Sequence, residues 1–224
     1  MSETVHDRRS TVPDPSHTPV PTSDAASRVV VPPPGGSPSS ATVRAAGALL
    51  AGGATAWAVG TLVVGDAVLD GVQVLDTVTG LAYVAGLVAL VLVLRAARLT
   101  GNRFGRILAA VTVVVLAGAF LVNVLSLGYD HYDEFPQALM ALDACWPLGQ
   151  LLVLLVGVVV AVAGRVRGLL RWQPLLCGLW FPVSTLAQII LGPADSVVVS
   201  AAWLLLAPTV LGVRLVLRPR DLVS

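Results

Sequence analysis

His131, Asp133 and Glu134 fall within one short run at 128–147, Gly-Tyr-Asp-His-Tyr-Asp-Glu-Phe-Pro-Gln-Ala-Leu-Met-Ala-Leu-Asp-Ala-Cys-Trp-Pro. An imidazole beside two carboxylates can hold a divalent cation, or can divide acid and base duties in a hydrolysis. No established spacing accompanies them. The two-histidine helical zinc signature, nucleophile elbows, phosphate loops and dinucleotide glycines are absent from the sequence. Carboxylates also solvate a loop that contains no arginine, so three readings stand side by side: a solvated loop, a cation site and a membrane-embedded hydrolase. The first asks least of the residues. No residue is assigned as catalytic or as an outright metal ligand, and no cofactor is expected.

A second set of polar residues lies close to that run. Asn123, Gln150 and Gln188 each fall near one end of an apolar stretch, and at 1.5 Å per helical residue all three come within roughly 6 Å of the same boundary. Asp76 and Asp143 sit at that end too. One reading has the third, fourth and fifth apolar stretches enclosing a shallow polar vestibule beneath the acidic loop. The other has each amide pairing with a neighbouring helix, for about 0.6 kcal/mol. The full candidate set for a vestibule or cation site is Asp76, Asn123, His131, Asp133, Glu134, Asp143, Gln150 and Gln188.

These residues must be positioned by the elements around them, and the composition restricts what those are. Hydrophobic residues make up 56% of the chain and charged ones 12%, against roughly 25% charged in ordinary soluble domains. Such a chain cannot cover itself with polar surface, which makes lipid its expected solvent and the bilayer its first partner. Six apolar runs approach the ~20 residues a helix needs to cross a bilayer, at about 44–65, 75–94, 106–127, 147–164, 174–192 and 196–217. Lipid offers no partners to a free amide, so the spans must be helical. The expected fold is an all-α, polytopic helical membrane protein with a six-helix domain over 44–220.

Charge placement gives the orientation. All 14 basic residues are arginine. Arg8, Arg9, Arg28 and Arg44 come at or before the first span; Arg95, Arg98, Arg103 and Arg106 follow the second. Arg165, Arg167 and Arg171 follow the fourth, and Arg214, Arg218 and Arg220 close the chain. All therefore fall on one side of a six-span path, which the positive-inside rule makes cytoplasmic together with both termini. The opposite connections carry Asp66, Asp70, Asp76, Asp130, Asp133, Glu134, Asp143 and Asp195. The absence of lysine, with isoleucine only at 107, 189 and 190, reads as the codon bias of a GC-rich genome.

Residues 1–43 hold eight of the 15 prolines among many Ser, Thr and Asp. Too few large apolar groups lie there to offset the entropy of ordering, so a disordered cytoplasmic tail is expected, with a soluble partner as one use for it. Cys145 falls at one end of its span and Cys177 near the opposite membrane face, separated by about 30 Å of hydrocarbon, too far for a disulfide. Gly52, Ala56 and Gly60 on the first span, Ala82 and Gly86 on the second, and Gly157 and Ala161 on the fourth offer small faces for close helix packing, within one chain or in a homo-oligomer. Pro182 and Pro208 should kink the fifth and sixth spans, with hydroxyls or neighbouring helices satisfying the freed carbonyls. Residues 133–146 could form a short surface helix capped by Asp133, with Trp146 at headgroup level. Alternatively, the fourth span starts early and bends at Pro147.

In layout, and in the Cys-Trp-Pro-Leu opening of the fourth span and the Pro-Leu-Leu-Cys-Gly-Leu-Trp run at 174–180, the chain resembles the uncharacterised six-span integral membrane proteins of GC-rich actinobacteria. The resemblance implies a bacterial cytoplasmic (inner) membrane and transfers no activity. The function asking least of the residues is non-catalytic binding, sensing or scaffolding; a small-solute or cation transporter or channel is the alternative, and a hydrolase using the 130–134 loop a third. No nucleic-acid partner is expected. Impermeant-thiol labelling of single cysteines placed at Asp133 and at Arg103, in a Cys145→Ala, Cys177→Ala background, should modify only the first from outside intact cells.

Overall fold

The computed structural model describes residues 37–222. Of the tail expected over 1–43, positions 1–36 lie outside the described residues. The last part of that range is already structured. Ser39 Oγ accepts the amide of Thr42 at 3.1 Å, and this N-cap starts helix α1, Ser40–Val64, ahead of the expected position 44. Its hydroxyl satisfies one of the amides that every helix start leaves open.

The described residues contain six helical stretches long and apolar enough to cross a bilayer. The first is α1 with a following 3₁₀ turn, Gly65–Leu69. The second is α2, Val74–Ala96, and the third α3, Arg103–Ser126. The fourth joins α4, Gln137–Asp143, to α5, Cys145–Ala163. The fifth joins α6, Gln173–Gly178, to α7, Trp180–Leu191. The sixth runs through α8, Pro193–Leu204, a π turn, Leu205–Thr209, and α9, Val210–Leu217. Short connections make neighbouring stretches antiparallel. One cavity is lined by Ser37, Leu99, Arg165, Arg214 and Leu222, so four of the six stretches begin or end together at an arginine end. The other end is acidic.

The interruptions have identifiable causes. Pro147 lacks the amide that would bond the Asp143 carbonyl, and the helix breaks between α4 and α5 at Ala144. Pro182 likewise leaves the Gly178 carbonyl, and the fifth stretch is broken at Leu179. Pro208 frees the Leu204 carbonyl inside the π turn, and Thr209 Oγ1 donates to it at 3.0 Å. The fourth stretch thus does begin early and bend. Asp133 is not its cap, because Pro136 holds that position without a side-chain bond. The apolar face of α4 is not turned to a membrane surface either: Phe135 and Leu139 are buried with Val122 of α3, with Val72, Tyr129, Leu142 and Trp146 against them. Trp146 points inward, its ring 5.1 Å from that of Trp57.

Glycine sets how closely the helices approach. A Cβ added at Gly86 would stand 2.7 Å from the Leu50 Cα, and one at Gly53 would collide with the Ala82 backbone. Gly47 and Gly212 bring α1 against α9, each with a would-be Cβ 2.6 Å from the other's carbonyl oxygen, while Gly157 faces Leu175 of α6. The small residues expected on the second and fourth stretches are at these contacts. On α1 the expected face is displaced: Gly60 meets Thr79, but Gly52 has open space around it, and the neighbouring Gly53 takes its place in the seam. A two-glycine run fits two helical phases equally, and which one packs is decided by the partner. The two cysteines are unpaired, with Cys177 fully buried and Cys145 half-buried.

At the arginine end, guanidinium groups close helix C-termini, where unpaired carbonyls and the helix dipole favour cations. Arg165 Nη1 donates to the Arg98 carbonyl beyond α2 at 3.0 Å, and Arg171 Nε to the Ala161 carbonyl of α5. Arg214 donates to Gln173 Oε1 and pairs with Asp221, each at 3.3 Å. Gly86→Leu is expected to force α1 from α2 and to cost about 2–3 kcal/mol, the scale of an overpacked interior. Gly52→Leu should change stability by less than about 0.5 kcal/mol. Thermal unfolding in detergent, with gel filtration as a check on assembly, compares the two.

Candidate functional site

The acidic end is organised by a hydrogen bond that ties α1 to α2. Asp76 lies in the first turn of α2, where a carboxylate is favoured by the helix dipole. Its Oδ1 accepts the indole N–H of Trp57 at 2.9 Å, and the Thr61 hydroxyl also bonds its side chain. Trp57 is 6% exposed. Its ring is stacked 4.9 Å from that of Tyr83, and lies 5.1 Å from Trp146 and 4.6 Å from Trp180. Three aromatic residues from three other helices therefore meet on one indole, and its single polar atom is spent on Asp76.

Above this cluster a cavity of about 290 Å³ opens. Its walls come from the first four helical stretches and their connections: Trp57, Asp76 and Thr77, Asn123 and Ser126, Tyr132 and Phe135, Asp143 and Trp146. Two carboxyl groups and four aromatic rings thus face one space, and no arginine lines it. Tyr132 stands in a single 3₁₀ turn, Tyr132–Glu134, outside the helical stretches. Burial pushes its phenol up, and the Asp76 and Asp143 carboxyl groups push it the same way. Burial is the larger cause, and the two carboxyl groups add to it.

Over the cavity, two connections are stitched together. The Val72 amide donates to the Asp130 carbonyl at 2.9 Å. His131 Nδ1 lies 3.0 Å from the Asp70 carbonyl; a carbonyl can only accept, so Nδ1 carries the proton. The contact requires a glycine below it, since a Cβ at Gly71 would fall 2.5 Å from the Asp130 oxygen. Glu134 Oε2 accepts the Asp130 amide at 3.3 Å, closing its own loop.

Of the eight candidates read from sequence, Asp76, Asn123 and Asp143 line this cavity. His131 and Glu134 are at its rim as clasps between backbone segments. Asp133 is exposed in the same turn. Gln150 is 1% exposed, with Oε1 unbonded to any described group, and Gln188 is exposed on α7. Neither is a lining residue. The enclosure expected from the third, fourth and fifth stretches is accordingly corrected: the first and second replace the fifth, because Asp76 is drawn inward by Trp57 while Gln188 lies on an outward face. Among the described residues no three His, Cys, Asp or Glu side chains converge as ligands for one metal ion. Sequence reading missed Trp57, Thr77, Ser126, Tyr132 and Phe135. A tryptophan within an apolar run looks like core; its need for an acceptor when buried was the available signal.

Trp57→Phe keeps an aromatic ring in the cluster but removes the donor to Asp76. The expected cost is about 1.5 kcal/mol, the low end for a bond to a charged acceptor because the site opens to solvent. Thermal unfolding in detergent measures it, and Asp76→Asn in the same background should add little.

No family model, curated protein or solved structure matches this chain, and the chemistry of this cavity is what a functional reading has to stand on.

Proposed function

We propose that the chain is a multi-pass protein of a bacterial cytoplasmic membrane, with its arginine end and termini inside, that binds a small solute from outside without chemically altering it. The observation that carries this reading is the acidic-end cavity itself. It is concave, with polar side chains and four aromatic residues converging on one space over a base of buried rings, features of a small-molecule site. Its volume of about 290 Å³ suits a small solute better than a lipid.

Two features favour binding over the alternatives. Conduction would need a path through the bundle, yet Tyr83 and Trp180 are buried behind Trp57, and the rings form a floor. Coupled transport also draws on ionisable groups at mid-depth, because such groups are costly there and are kept for function; Asp76 and Asp143 both belong to the acidic end. The orientation rests on arginine placement, and the particular membrane on codon bias and the resemblance in layout.

Filling the cavity tests the reading. Asn123 is half-buried in α3 and lines the cavity, so Asn123→Trp should occupy it while leaving the seam between α1 and α2 untouched. Purified full-length protein in a neutral detergent is screened by thermal shift against cationic, neutral and anionic small solutes. The native chain should be stabilised by at least one class, by about 2–3 kcal/mol at a hundredfold excess over the dissociation constant, and the Asn123→Trp chain by none. Equal stabilisation of both proteins would place the ligand elsewhere.

A further inference from the structure

We propose that the acidic-end cavity is a receptor for an organic ammonium ion, an alkylated amine that keeps its positive charge. This rests on the reading of the cavity as a solute site and names the class of solute. Asp76 and Asp143 both face the cavity, and no arginine lines it. Asp76 is half-buried and bonded to the neutral Trp57 indole, and Asp143 is exposed beside the same space, so a cation entering it meets negative charge that no lining guanidinium offsets.

The remaining walls decide what kind of cation fits. A bare metal ion needs several oxygen ligands at fixed short distances, and the described carboxylate, histidine and cysteine side chains do not gather three at a point. Tyr132 and Trp146 supply ring surface instead, over the buried Trp57 and Phe135. Aromatic faces cannot ligate a metal in competition with its hydration shell, but they attract a diffuse, weakly hydrated cation through the ring quadrupole, and such boxes are how quaternary ammonium groups are held. A cavity of about 290 Å³ is far larger than a metal ion and accommodates a compact alkylammonium. Asn123, Thr77 and Ser126 line the same space and could accept a hydroxyl or amine hydrogen from the solute's other end.

The protein carries its own reporter, since Trp57 and Trp146 line the cavity. Full-length protein in maltoside micelles is titrated with tetramethylammonium or choline while tryptophan fluorescence is followed, at constant ionic strength. Parallel titrations use sodium, magnesium and 3,3-dimethylbutan-1-ol, the neutral carbon isostere of choline. The expected result is a saturable change with both ammonium ions, binding at least about tenfold weaker for the isostere, and none for the metals. Asp143→Asn, at an exposed position whose loss should not disturb folding, should weaken choline binding by about tenfold. If the isostere binds as well as choline, or a metal binds as well, the ammonium assignment is overturned while the solute-site reading stands. If neither these probes nor the thermal-shift panel gives any response, both fall together.

Discussion

Every helical stretch of this bundle leans, directly or through one neighbour, on the seam where α1 and α2 touch backbone to backbone. Gly53 against Ala82 and Gly86 against Leu50 leave no room for a side chain. Such close approach gains dispersion contacts along the whole seam, which a larger side chain at either glycine would prevent. The seam holds α1 where Gly47 can meet Gly212 of α9, and it holds α2 against α3 and α5. It also fixes the height of Trp57 relative to Asp76. A shift of one helical turn, about 5.4 Å, would take the indole nitrogen out of reach of the carboxylate.

The cavity follows from that registration. With Trp57 anchored, Tyr83, Trp146 and Trp180 pack around it as a floor, and the space above is left to shorter polar side chains. The loops do not fill it because they are held to one another: His131 reaches the Asp70 carbonyl and Val72 the Asp130 carbonyl. His131 and Glu134 thus clasp backbone segments at the rim, and the residues that face the open space are those with shape and charge. The arginine end is built differently. There the guanidinium groups of Arg165 and Arg171 hold backbone carbonyls, and that of Arg214 holds Gln173 and Asp221.

How much of this could be read beforehand depends on the range of the signal. Six apolar runs and their bounds are local properties, and they agree with the helices to within a few residues except where α4 extends the fourth stretch toward Gln137. Proline effects were local as well, down to the hydroxyl that satisfies a freed carbonyl, supplied by Thr209. What failed was anything set by a partner. Gly52 and Gly53 are indistinguishable without α2. Gln188 and Asn123 lie at similar depth, and only the arrangement of the helices turns one outward and the other into the cavity. Trp57 is separated from Asp76 by a full connection, and nothing in either residue's surroundings announces the other. Asp76 and Asp143 were found because charge near the end of an apolar run is conspicuous; the rings between them were not, because aromatic residues are at home in such runs.

The π turn at Leu205–Thr209 also sets the rotational phase of the last span. From Ser196 to Leu215, both buried, an unbroken α-helix would make more than five revolutions at about 3.6 residues each. By absorbing one surplus residue, the wider turn brings the count close to a whole number, so that Ser196, Ser200, Leu204, Leu211 and Leu215 keep to one stripe along the bundle. Winding the same residues into a regular α-helix would rotate α9 by roughly 100°, carrying Leu215 off the α1 face and Arg214 away from Gln173, whereas deleting one residue there would restore ideal helical geometry with the azimuth kept. Regular hydrogen bonding and correct azimuth are thus in conflict at this point of the chain, and the fold has settled the conflict in favour of azimuth.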